Sequence, residues 1–250
     1  MRENDGVDYY FILQGVDNKI INESLMPLLP KTNGHYIQHD NICYDFGTIG
    51  WFLNKYKYFI LMNSLIRAPF SPPYFIKFLS DYKNEFSKMF HWYEIFPQRI
   101  TSKVKLVGST ISCASIPHVQ SYFLVTDQIG LNILLKKDKD SKGIFDCYEI
   151  KNDVSLYSEV ASSRRIIKSN YLIDSLLTRY QNINFNQTHT KICSAYLNPY
   201  ADNYFDGTSL EPYEVVFVKY ADLEYAQVSR DRAKLYQKWI LNARLKNGTI

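Results

Sequence analysis

Glycine and proline are scarce, ten and nine in 250 residues, which excludes collagen-like, low-complexity and disordered classes. No apolar run reaches membrane-spanning length, and Met1 to Asp8 is polar, without the apolar stretch of a signal peptide, so a cytosolic (cytoplasmic) protein is expected. The four cysteines, Cys43, Cys113, Cys147 and Cys193, contain no CxxC pair, which argues against a zinc ribbon or redox motif. They are expected to be reduced, mostly buried thiols. Charge of one sign is also nearly absent: 29 basic against 25 acidic residues leave a dispersed net charge of +4, too little to mark a nucleic-acid binder. Such a binder would interleave Lys or Arg with aromatics on a sheet face, whereas the Tyr-rich segments here read as core strands.

What is abundant is apolar and aromatic: 46% and 16% of the chain, enough for one sizeable core and one domain, residues 1–250. Tyr9 to Leu13, Tyr36 to Gln38, Tyr56 to Met62, Val104 to Val107, Tyr122 to Val125 and Glu214 to Lys219 read as strands. The unbroken run YKYFILM predicts a mid-sheet strand buried on both faces. Helices are predicted from Gly47, over Tyr74 to Met89, Ser158 to Ser169 and Tyr171 to Tyr180, and over Leu223 to Arg244. The last of these forms an amphipathic C-terminal segment, 221–250. Alternating strands and helices predict an α/β fold with a mixed sheet flanked by helices.

In open α/β sheets ligands bind at the carboxyl ends of strands, and these ends carry Asn63-Ser64, Gly108-Ser109-Thr110 and Asp127. The blocks NICYDFG, YKYFILMNSLIRAPF, KLVGSTISC, PHVQSYFLVTDQIGL and GTSLEPYEVVFVK occur in that order between Asp8 and Lys219. In these blocks the chain resembles a family of glycosyltransferase-like proteins of fungi, algae and large algal viruses, the chlorovirus-type capsid-glycan transferases included. The resemblance implies a Rossmann-like glycosyltransferase-A fold and an inverting transferase. Its donor would be a nucleotide sugar, UDP-linked and carrying xylose or a deoxyhexose, and its acceptor a glycan hydroxyl. Family members carry a further strand and helix ahead of the segment matching YYFILQG, so by that resemblance the chain is a shortened member, a fragment, or a protein whose base pocket is rebuilt from other elements.

By that resemblance Asn41 and Asp45 contact the base or ribose, and Gly47 permits close backbone approach; the alternative is a tight turn with a structural Asp. Met62-Asn63-Ser64 stands where metal-using relatives carry Asp-x-Asp. Asn63 and Ser64 can bond a sugar or phosphate oxygen but hold Mg²⁺ or Mn²⁺ weakly, so no metal cofactor is expected to be required and diphosphate charge falls to Arg67 or Lys219. Glu159 is the first candidate for the base that takes the acceptor proton, and Asp127 the second; each is as readily a helix cap. His118 and Gln120 are expected to hold acceptor hydroxyls, though a lone His is more often structural. Glu214 is expected to bind sugar hydroxyls or buttress Lys219, or else to form a structural ion pair. The basic residues of the last helix read as a solvated face in preference to a peripheral membrane contact. A non-catalytic glycan-binding or scaffolding descendant of the same fold is the second functional reading.

Overall fold

The computed structural model describes residues 5–14, 29–40, 42–50, 53, 56–63, 65–67, 69–70, 92–114, 116–137, 142–186, 198–204, 207–220 and 224–246. The expected helix over Tyr74 to Met89, and the candidate residues Asn41 and Ser64, lie outside them.

In chain order, β1 (Tyr9–Gln14) pairs in parallel with β2 (Gly34–His39), and α1 (Asp45–Ile49) follows. Next come β3 (Tyr58–Met62), β4 (Ile66–Arg67), β5 (Val104–Gly108), β6 (Ile111–Ser112), β7 (His118–Val119) and β8 (Phe123–Asp127). Helix α2 (Gln128–Leu135) leaves β8 directly. Helix α3 (Lys151–Asp153) passes through a π-helical stretch, Val154–Val160, into α4 (Ala161–Lys168), and β9 (Leu172–Ser175) follows. The chain closes with α5 (Pro212–Val215), β10 (Val218–Lys219) and α6 (Gln227–Lys246).

The result is a mixed α/β structure centred on a four-stranded sheet of order β3-β8-β5-β9. Strand β8 runs antiparallel to β3 and β5, and β9 runs parallel to β5. The two central strands divide their side chains between two cores, as the period of two requires. Leu106 and Leu124 pack with Leu131, Leu134 and Ile166 on one face, and Val107, Phe123 and Val125 pack with Phe96 and Phe217 on the other. The Phe123 and Phe217 rings stack at 4.2 Å.

Close packing leaves no room at Gly108. A Cβ there would lie 2.2 Å from Val119 Cγ1 and 2.8 Å from the Phe123 carbonyl oxygen. Gly108→Ala is therefore expected to destabilise the fold by about 1–3 kcal/mol through overpacking, read as a lower urea midpoint with an unchanged slope.

Several expectations are corrected. Strand β3 is an edge strand, alternately buried, with Met62 exposed. Tyr171 to Tyr180 is not one helix: Asn170, at φ 63°, closes α4, the chain turns into β9, and only Thr178–Tyr180 forms a single 3-10 turn. Glu214 to Val215 is helical, not extended, because Glu211 caps Pro212 at the first helical position and only Val218–Lys219 is strand. Nor are the thiols all reduced, since Cys43 and Cys147 form a disulfide and Cys113 is disulfide-bonded as well.

Candidate functional site

The three polar strand ends do not converge. Because β8 is antiparallel to its neighbours, Asp127 lies opposite Tyr58 at one end of the sheet, while Asn63 follows the far end of β3 and Ser109 the far end of β5. Both Asp127 oxygens are engaged: Oδ1 accepts the Gly130 amide at 2.8 Å, capping α2, and Oδ2 pairs with the buried Lys105 ammonium at 2.6 Å. The cap alternative describes Asp127, and it stands apart from the other candidates.

At the opposite end, residues from distant blocks do meet. Asp45, in the first turn of α1, accepts a hydrogen bond from the Asn63 side chain and feels the charge of Lys219. The Asn63 Oδ1 is itself bonded to the Leu65 amide at 3.0 Å, which fixes the amide orientation. Asp45 is exposed at its outer surface, yet enough protein surrounds the carboxylate that desolvation raises its pKa above 3.8, against the pull of Asn63 and Lys219.

Strand β10 delivers Lys219. In its short antiparallel ladder with β4, Lys219 pairs with Ile66 and Val218 with Arg67, so the two cations alternate to opposite faces. The Arg67 guanidinium stacks 4.2 Å over Tyr220, and the Lys219 ammonium lies 5.3 Å over the Tyr200 ring. Val216, three residues before Lys219, sits at φ 63°, an outlier for a β-branched residue of a kind that gathers near functional sites.

Tyr200 links this cation to a buried amide chain. Its hydroxyl accepts from Asn198 Nδ2 at 2.9 Å, and Asn198 Oδ1 accepts from Ser112 at 3.1 Å and from Gln120 Nε2 at 3.3 Å. Gln120 Oε1 in turn accepts from Thr110 at 2.7 Å. Both polar atoms of Gln120 are thus bonded to protein, and it supports Asn198 and, through it, Tyr200. Burial is the largest cause raising the Tyr200 pKa; its bond to Tyr225 and the nearby Glu159 charge add to it.

Glu159 and His118 complete the cluster. Glu159 is not at a helix start, because the helix already runs from Lys151; it stands half-buried in the π-helical stretch, a local widening that often marks functional positions. Its charge acts on both Tyr200 and His118. His118 Nδ1 lies 2.7 Å from the Ile116 carbonyl, which can only accept, so Nδ1 carries the proton. Burial lowers the His118 pKa below 6.5, opposed by Ile116 and Glu159, so the ring is neutral at pH 7.

Two other candidates have structural surroundings. A Cβ on Gly47 would meet Cys43 Cβ at 2.9 Å and the Asp146 carbonyl at 3.1 Å, so the close approach it permits is to the disulfide segment. Glu214 accepts the Thr178 amide at 2.7 Å, bracing the turn after β9. Sequence reasoning missed Asn198 and Tyr200; the signal was Asn198-Pro199-Tyr200, a polar and an aromatic residue set by a proline.

Chemically, an ammonium over a tyrosine ring, with a carboxylate bonded by an amide on one side of it and a second carboxylate near the ring, suits a hydroxyl-rich ligand that carries negative charge. Among the described residues no set of three or more His, Cys, Asp or Glu side chains gathers as metal ligands. Compared with protein-family models, curated proteins and solved structures, the chain matches none.

Asp45 also sets a pH dependence. A carboxyl whose folded pKa exceeds its unfolded value stabilises the fold at low pH and loses that contribution as pH rises through the folded pKa. The Asp45 contribution is therefore expected to fade as pH rises above 3.8, against the opposite contribution of Asp146, so Asp45→Asn should lose less stability than the native protein over that range in urea unfolding across pH.

Proposed function

We propose that this protein is a glycosyltransferase of glycosyltransferase-A-like fold, moving a sugar from a nucleotide-sugar donor, UDP-linked, to a glycan hydroxyl with inversion. The observation that carries the reading is a chain of neighbours from widely separated parts of the sequence: Asn63 bonds Asp45, Lys219 acts on Asp45 and lies over the Tyr200 ring, and the Glu159 charge acts on Tyr200 and His118.

In the proposed reaction Lys219 holds the diphosphate and Asp45 with Asn63 bonds donor hydroxyls. Glu159 takes the proton of the acceptor hydroxyl as its oxygen bonds the anomeric carbon and the bond to the diphosphate breaks. Lys219 then offsets the negative charge on the leaving group.

The test is calorimetric titration of the purified protein with UDP, GDP and several nucleotide sugars, with and without Mn²⁺. Micromolar binding of one nucleotide sugar supports the reading, and Lys219→Met is expected to weaken it about tenfold to a hundredfold, the worth of a charge-assisted bond. Absence of nucleotide binding would favour a glycan-binding protein without turnover. Mn²⁺ stimulation reversed by EDTA would overturn the metal-independent form of the proposal.

A further inference from the structure

Helix α6 buries one face and leaves the other bare. Ala226, Ala233 and Ile240 enter the core, Asp202 caps the helix start through the Val228 and Ser229 amides, and Arg232 holds the Ser209 and Leu210 carbonyls. Trp239 has one side against the Tyr213 and Tyr236 rings and the other exposed. Val228, Leu235, Trp239, Leu241 and Leu245 are between 44% and 63% exposed, so a helix buried on one face also carries large apolar side chains on its outer side.

These side chains are interleaved with cations. Asp231, Lys234, Lys238, Leu241 and Leu245 follow one another at intervals of three and four, one row along the helix, with Val228, Leu235 and Trp239 in the next row. The helix carries Arg230, Arg232, Lys234, Lys238, Arg244 and Lys246 against a single acid, Asp231. No described helix is long and apolar enough to cross a membrane.

We propose that the outer face of α6 lies on an anionic lipid surface. Leucines and an interfacial Trp enter the boundary of the acyl region while Lys234 and Lys238 pair with headgroups, the arrangement of helices that lie in the plane of a bilayer. The lysines decide against a second copy of the chain: a two-fold contact on this face would set like charges together, and lysine is depleted from protein interfaces.

The experiment is co-sedimentation of the full chain with vesicles of phosphatidylcholine alone or mixed with phosphatidylserine, with Trp fluorescence recorded in parallel. Binding to the serine-containing vesicles with a blue shift is expected, and little to the neutral ones. Lys234→Gln with Lys238→Gln should lower the partition coefficient about thirtyfold, at about fivefold for each charge near the surface. Leu235→Gln with Trp239→Gln should abolish the shift, circular dichroism confirming that both variants fold. No binding to either vesicle, or binding unchanged in both variants, overturns the proposal. So does self-association in light scattering that Leu235→Gln removes without any vesicle binding, since a second copy would then cover the face.

Discussion

Glu159→Gln is expected to lower sugar transfer by about 10²–10⁴-fold, the usual worth of a positioned general base, with nucleotide affinity unchanged. The amide preserves size and hydrogen bonding but cannot take the acceptor proton, so the loss should fall in kcat and leave binding of the donor intact. Asp127→Asn is the matched control, because Asp127 is also a half-buried carboxylate and the sequence offers it for the same role. Its removal leaves the Lys105 ammonium, 5% exposed, without a counter-charge and should cost about 3–5 kcal/mol of stability. The folded fraction of that variant should turn over normally. Reversal of the two outcomes, with turnover lost at Asp127 and kept at Glu159, would move the reaction to the other end of the sheet and overturn the site described above.

How far the sequence foretold this arrangement depends on what kind of information each element needed. Strands β1, β2, β5 and β8 were legible because short apolar runs bounded by turn residues specify strands locally. Helix α6 was legible because its periodicity extends over twenty residues. Glu214 to Lys219 was misread because β-branched residues outweighed the signal of Glu211 and Pro212, a capped helix start. Glu159 was misread for the reverse reason: Ser158-Glu159 looks like a cap, but the helix had already begun at Lys151 without a capping side chain. Strand direction was not legible at all. Whether β8 runs with or against β5 is set by long-range pairing, and that alone decides that Asn63 and Asp127 lie at opposite sheet ends.

The same long-range logic explains why Asp45 was legible as a candidate while the means of holding it was not. The sequence placed it in a polar block, but Cys43 and Cys147 are 104 residues apart and nothing local announces their pairing. The bridge ties the entry of α1 to the 143–148 loop, where Asp146 accepts the Gly143 amide at 2.8 Å and the Tyr148 hydroxyl donates to the Gly143 carbonyl at 2.6 Å. Disulfides persist in oxidising surroundings, so the bridge weighs against the cytosolic setting expected from the N-terminal residues.

Removing this bridge is the second large effect expected. Closing a loop of that length restricts the unfolded chain enough to be worth about 4–5 kcal/mol in the chain-entropy model, and native disulfides commonly give about 2–5. Cys43→Ser with Cys147→Ser should therefore lower the urea midpoint steeply, a comparison cleaner than adding reductant because Cys113 is also disulfide-bonded. Gly47 sharpens the expectation, since its packing against Cys43 and Cys147 leaves α1 positioned by the bridge itself. The folded fraction of the double variant should accordingly bind the nucleotide donor more weakly than the native protein. An unchanged midpoint would mean that the bridge contributes nothing to the fold. A lowered midpoint with undiminished donor affinity would mean that α1 is held by the Phe46 side of the core, and that Asp45 owes its place to packing alone.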